Sequence, residues 1–182
     1  MIAPMVAATD PALANGAILL LPGTHCKWAT VESRRVVGFT TYLTGELFAV
    51  LRDHSMLGRP ASDAGISGAR PFDAEAFDRG VTMVRDAGAA GVTSVVFTAR
   101  SLFLTGALTA AATLDYLSGL LIGEEIRSAL AGRGDSTAAR LALLGDATLC
   151  GRYRRALEAF GVGQVRQLDE TGPTGLWTIA VA

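Results

Sequence analysis

The chain has 182 residues, of which 50% are hydrophobic and 18% charged, with a formal net charge of −1 and an isoelectric point near 6.1. That is ample for a core, so disorder is excluded, and without a basic stripe no nucleic-acid partner is implied. No run of about eighteen uninterrupted apolar residues occurs, so neither a spanning helix nor a membrane partner is expected.

Met1 to Ala8 is apolar but lacks a basic n-region and is short for a signal peptide, so residues 1–16 read as a leader or linker and a cytoplasmic location is expected. Ala17 to Leu21 is continuously apolar, the pattern of a strand buried on both faces. Leu21-Pro22-Gly23-Thr24-His25 then forms a turn, and Lys27 to Glu32 leaves it as a second strand. Ser33-Arg34 is a polar hairpin turn, and Val36 to Tyr42 returns, rich in β-branched and aromatic residues. From Thr44 to Met56 the period becomes helical, with Leu47, Val50, Leu51 and His54 on one face; Gly58 and Pro60 end that helix.

Arg59 to Arg70 reads as a loop. Phe72 to Ala87 is helical, with Phe77, Val81 and Val84 inward. Gly88 to Leu104 is ambiguous, since Val92, Val95, Val96 and Phe97 suit a strand while Val92, Val95, Val96, Ala99 and Phe103 suit a helix, the form that the family resemblance given below favours, and Thr109 to Leu130 is a strong helix. Ala131 to Thr137 is a flexible turn. Ala139 to Leu144 is a strand, Gly145-Asp146-Ala147 leads into a helix from Thr148 to Phe160, and Gln164 to Leu168 is a short strand. Thr171 to Val181 forms a closing helix with Pro173 near its first turn. The order is β-β-β-α, a helical insertion around residues 71–130, then β-α-β-α. That topology is the ribonuclease H-like one, the lobe unit of actin-like and sugar-kinase ATPases, and it makes residues 17–182 a single lobe.

The Pro22–Lys27 segment has the chemistry of a phosphate-cradling hairpin. Gly23 allows close backbone approach, Thr24 adds a hydroxyl, the turn amides can face an anion, and Lys27 adds a positive charge. A tight turn with a solvated lysine explains the same residues. Glu46 and Asp53 suit acid/base or Mg²⁺ work; equally, Glu46 compensates a helix dipole and Asp53 lies on a solvated face. His54 on an apolar face reads as a structural histidine. Gly119 and Gly123, four apart, read as close helix packing. The two cysteines, Cys26 and Cys150, form no CxxC, and with only His25 and His54 as imidazoles no metal site built by the protein alone is expected.

The segment Pro22-Gly23-Thr24-His25-Cys26-Lys27-Trp28 resembles the 2-dehydro-3-deoxygalactonokinase family. So do Tyr42-Leu43-Thr44-Gly45-Glu46-Leu47, His54-Ser55-Met56-Leu57-Gly58 and Tyr116-Leu117-Ser118-Gly119-Leu120-Leu121-Ile122-Gly123, in the same order and at similar spacing. The resemblance runs from about Ile18 to the C-terminus. Family members also carry a preceding half with an Asp-x-Gly-Ser/Thr phosphate loop, and nothing like it stands before Leu21.

The resemblance implies an ATP- and Mg²⁺-dependent kinase lobe whose small-molecule acceptor is a sugar acid, phosphorylated at its 6-hydroxyl. It maps the second phosphate hairpin onto Gly23, Thr24 and His25 with Lys27 close by. It puts the adenosine site at Gly145, Asp146 and Ala147, with Tyr153 further on. Relatives read Ala-Gly-Thr/Ser at that turn; Asp146 here could cap the helix, or accept from a ribose hydroxyl. Thr44, Glu46 and Arg100 are weaker substrate candidates, Arg100 because Phe97-Thr98-Ala99-Arg100 resembles a family Phe-x-Val-Arg segment; a surface ion pair is its other explanation. The catalytic base is expected from the other lobe, so none is assigned. The chain is expected to be weak or inactive alone, completed by an N-terminal lobe in trans, or else to be a non-catalytic, self-associating remnant.

Overall fold

The computed structural model describes residues 11–13, 16–66, 70–131, 141–163 and 165–168. The closing helix expected over Thr171–Val181 lies outside them, as do most of the leader and the turn after Ala131. The chain divides into two compact units: Met1–Leu43 with Ala129–Arg154 and Val162–Ala182, and Thr44–Ser128 with Arg155–Gly161.

The first unit is built on five strands: β1 (Ala17–Leu21), β2 (Cys26–Glu32), β3 (Arg35–Tyr42), β4 (Leu141–Leu144) and β5 (Arg166–Leu168), in the spatial order β3-β2-β1-β4-β5. β1 pairs antiparallel with β2, which pairs antiparallel with β3. On its other side β1 pairs parallel with β4, and β4 with β5. This explains the composition. The central β1 and β4 carry only Ala, Ile and Leu because both of their faces are covered. Leu19, Ala29, Val31, Ala142 and Leu144 form one cluster with Leu13. The edge strand β3 leaves Val37 and Phe39 exposed. A bulge at the pairing of Thr30 and Val31 interrupts its register and bends it, as edge strands commonly are. Ser33 and Arg34 take φ of +47° and +62°, the two left-handed residues of a tight hairpin turn.

The second unit is helical. Its elements are α1 (Thr44–His54), α2 (Arg59–Asp63), α3 (Ala74–Asp86), two 3₁₀ turns (Gly88–Ala90 and Val92–Ser94), α4 (Thr98–Leu104) and most of α5 (Ala110–Leu130). α6 (Ala147–Ala159) starts in the first unit and ends in the second. α5 is buried without a break from Ala112 to Gly123, as an all-round apolar helix must be. Phe77, Val81 and Val84 face inward on α3 as the period predicts. Asp73 caps α3, its carboxylate accepting from the Ala76 amide at 3.0 Å. The ambiguous stretch after Gly88 is helical. The Val92 amide donates to the Glu124 carboxylate at 3.1 Å rather than to a strand, and Gly91, at φ +66°, breaks the stretch into short turns.

Three expectations need correction. Of the expected inward face of α1, Leu51 packs on the core, but Leu47 and Val50 are 43% and 46% exposed and His54 is exposed. Phe48, outside the expected face, packs on the core beside Leu51. Adjacent residues differ by 100° around a helix, so Phe48 lies one step round from Leu47, and the covered face is turned toward the aromatic ring. α1 also ends at His54, two residues before Met56. Finally, Arg59–Arg70 is not all loop. Pro60 opens the short helix α2 and is buried with Ala61, using proline's fitness for a first turn.

Candidate functional site

In the first unit, parallel pairing sets the geometry. Leu20 lies opposite Leu143, so β1 and β4 leave the sheet side by side, one into Pro22-Gly23-Thr24-His25 and the other into Gly145-Asp146. The two turns touch: a Cβ on Gly145 would lie 3.4 Å from the Pro22 carbonyl oxygen and 3.9 Å from Cys150 Sγ, and Gly145 has φ +153°. The backbone conformation therefore favours a glycine there, while a Cβ would make only ordinary van der Waals contact. A Cβ on Gly23 would meet nothing within 4 Å, so its backbone faces open space. Thr24 and His25 are exposed. Lys27 reaches back over the turn, its Nζ donating to the His25 carbonyl at 3.2 Å. Ligands of open α/β sheets bind outside the carboxyl ends of parallel strands, which is where these residues lie.

α6 starts from the second turn. Asp146 is its cap: its Oδ1 accepts from the Leu149 amide at 2.9 Å, and its carbonyl accepts from the Cys150 amide at 2.8 Å. Ala147 is exposed at the helix start, where amides and dipole favour an anion. Tyr153, by contrast, is 1% exposed. It follows Cys150 by three residues on the buried face of α6. Burial, with a smaller push from Asp146, raises the Cys150 thiol above its ordinary range.

The substrate candidates Thr44, Glu46 and Arg100 belong to the second unit. Thr44 and Glu46 share the first turn of α1, where Glu46 is exposed. Thr44 Oγ1 donates a short hydrogen bond to Glu125 Oε2. Arg100 lies on α4, with its guanidinium 5.8 Å from the centroid of Phe103. Asp53 pairs with its neighbour Arg52 at 2.6 Å, whose hydrogen bond holds its carboxyl below the usual range.

Sequence reasoning passed over the buried acids of α5. Asp115 and Glu125 are 0% and 2% exposed. Asp115 Oδ2 accepts from Arg70 Nη1 at 2.5 Å and from the Asp73 amide at 2.9 Å, fixing the entry to α3. The available signal was a carboxylate on an apolar helix face, which needs a partner to be buried. Among the described residues no group of three or more His, Cys, Asp or Glu could hold a metal ion, and no helix is long and apolar enough to cross a membrane. Mg²⁺ carried on nucleotide phosphates needs only one or two protein ligands.

The fold is that of a mixed α/β protein in which two glycine turns meet at the ends of two parallel strands. The 2-keto-3-deoxy-galactonokinase family profile matches residues 5–179, and the chain belongs to that family. It is 36% identical over 156 residues to a Rhizobium meliloti protein named Probable 2-dehydro-3-deoxygalactonokinase DgoK1, covering 86% of this chain and 49% of that one. It is 33% identical over 174 residues to the 2-dehydro-3-deoxygalactonokinase of Escherichia coli, covering 94% and 56%. A crystal structure of a Sinorhizobium meliloti protein assigned as a 2-dehydro-3-deoxygalactonokinase matches with a TM-score of 0.84 and 35% identity, over 98% of this chain and 57% of that one. The chain thus spans about half the length of the curated relatives it matches.

Proposed function

We propose that this chain is the nucleotide-binding lobe of a sugar-acid kinase that phosphorylates 2-dehydro-3-deoxy-D-galactonate at its 6-hydroxyl with ATP and Mg²⁺. One observation carries the reading: the Pro22–His25 turn and the Gly145–Ala147 turn stand against each other at the carboxyl ends of β1 and β4. In this reading the amides of Gly23, Thr24 and His25, with the Lys27 ammonium, hold phosphate oxygens. The start of α6 faces the nucleoside side. One oxygen of Asp146 is committed to the Leu149 amide, and the other accepts from a ribose hydroxyl. Bound ATP and Mg²⁺ supply the transferable phosphoryl group and charge neutralisation. The strand order, with β2 antiparallel between β3 and β1 and with β4 and β5 parallel to β1, supports a ribonuclease H-like lobe.

Phosphoryl transfer needs groups on both sides of the phosphate, and this polypeptide accounts for about half of its relatives' length. Tested alone it should bind ATP yet turn over slowly or not at all. ADP release from Mg-ATP with 2-dehydro-3-deoxygalactonate, against a control without the acid, measures this. Turnover should appear when the N-terminal half of the Escherichia coli relative is added. A folded chain that binds no ATP overturns the proposal. The second reading, a self-associating, non-catalytic lobe, draws on the exposed Val37, Phe39 and Leu43 along and beyond the edge strand, since such surfaces favour association.

A further inference from the structure

We propose that β3 is a self-association edge: two copies of this chain pair β3 to β3, antiparallel, with Thr40 on the two-fold axis. The inference gives a geometry to the self-associating reading above, on which it rests, and is independent of the nucleotide site. β3 is outermost in the order β3-β2-β1-β4-β5. On the side away from β2 its main-chain N–H and C=O groups therefore meet no strand among the described residues. Such an edge is a template for a further strand. None of its eight residues is buried, and Val37 to Thr41 are all exposed. Natural edges are commonly blunted by Lys, by Pro or by a bulge. Here the bulge lies before Gly38, and Gly38 to Tyr42 keep a regular register with β2. That stretch, Gly38-Phe39-Thr40-Thr41-Tyr42, carries neither charge nor proline, and its Phe, Thr and Tyr favour strands.

A second copy fits this edge because the edge is complementary to itself. Among the described residues, the exposed large hydrophobics of the first unit are Val37, Phe39 and Leu43, at 57%, 68% and 58% exposure. All three fall on one pairing. Antiparallel register about Thr40 sets Thr40 against its own copy, Phe39 against the partner's Thr41, and Val37 against the partner's Leu43. The two Phe39 rings then lie on the diagonal across the axis, a separation that aromatic rings bridge. Arg35 is the one charged residue of β3. In this register it stands ten positions from its copy, about 30 Å along the strand, so like charges do not oppose. A two-fold contact of this kind uses the same patch on both copies. One strand pair is smaller than the standard interface of about 1,600 Å², so the dimer is a weak one, with a dissociation constant on the order of 10 μM.

The test is sedimentation velocity of the full chain and its variants from about 2 to 200 μM, a range in which monomer should give way to dimer. Phe39→Lys, at an exposed position, should keep its melting temperature and weaken the dimer by about tenfold or more. Leu104→Lys, at an exposed leucine of the second unit, should leave the dimer unchanged. Cross-linking reads the register. Residues facing each other across an antiparallel pair have Cα atoms about 4.5–5.5 Å apart, within disulfide reach. Thr40→Cys treated with diamide, which takes up the two thiol hydrogens as the S–S bond forms, should therefore give a covalent dimer. Val37→Cys, roughly 20 Å from its copy, should not. Cys26 and Cys150 are buried, so the wild type is the blank.

A wild type that stays monomeric throughout the range overturns the inference together with the self-associating reading, and leaves ATP binding to be judged separately. A dimer that survives Phe39→Lys, or that cross-links through Val37→Cys rather than Thr40→Cys, overturns the β3 pairing while self-association stands.

Discussion

Gly119 on α5 lies directly against the Phe77 carbonyl of α3: a Cβ on Gly119 would stand 2.1 Å from that oxygen. Gly80 faces the other way, its Cβ position 2.2 Å from the Tyr116 carbonyl oxygen. The two backbones touch without intervening side chains. Gly119→Ala must force the helices apart and should cost about 3 kcal/mol, lowering the melting temperature by roughly 6–12 °C for a chain of this size. Gly151→Ala is the contrast: its Cβ would meet nothing within 4 Å, and a mid-helix alanine should add about 0.5–1 kcal/mol. Thermal melts of the two variants check the pair.

Gly23 and Gly145 separate binding from folding. Gly23→Val has room in the structure, so its melting temperature should stay within about 1 °C, while a side chain over the turn lowers ATP affinity about tenfold or more. Gly145→Val meets the Pro22 carbonyl and an unsuitable φ, so it should lose both stability and binding. A Gly23→Val protein that binds ATP like the wild type would remove this turn from the nucleotide site.

Arg70 and Asp115 form a partly buried pair, with side chains 19% and 0% exposed. Arg70→Ala leaves the carboxylate in the interior without that guanidinium and should destabilise by about 3 kcal/mol. Urea unfolding measures it, and a loss under about 0.5 kcal/mol would show the pair to be unimportant.

The buried Cys150 thiol has its pKa raised in the fold, chiefly by burial. Between the ordinary thiol range, near 8.5, and the raised native value, the unfolded chain ionises while the folded one does not. Stability from this group is therefore complete below about pH 8 and falls as pH rises through that window. Cys150→Ala should flatten the fall. In parallel, a thiol reagent at pH 8 should label Cys26 and Cys150, both buried, only after denaturant is added.

Leu47 and Phe77 test which apolar stripes are core. Leu47→Ser should change stability by less than about 0.5 kcal/mol, whereas Phe77→Ala, at a fully buried position, should cost about 3–5 kcal/mol. Equal losses would mean that α1 buries the face bearing Leu47.

What the sequence by itself determined was local. An unbroken run of Ala, Ile and Leu marked β1, a mostly apolar run marked β4, the Ser33-Arg34 pair marked the hairpin, the 3.6-residue period marked the inward face of α3, and Asp146 announced a helix cap. Each depends on residues a few positions apart, and the family resemblance was carried by such short segments as well. Tertiary structure decided the remainder. It set Pro22 against Gly145 through strand pairing between distant segments, turned Tyr153 inward with Cys150, and covered Phe48 rather than Leu47. It also joined Thr44 to Glu125. The physical reason is the same each time: periodicity tells that a stripe must be covered, and a buried charge that it needs a partner, but neither names the surface that arrives to meet it.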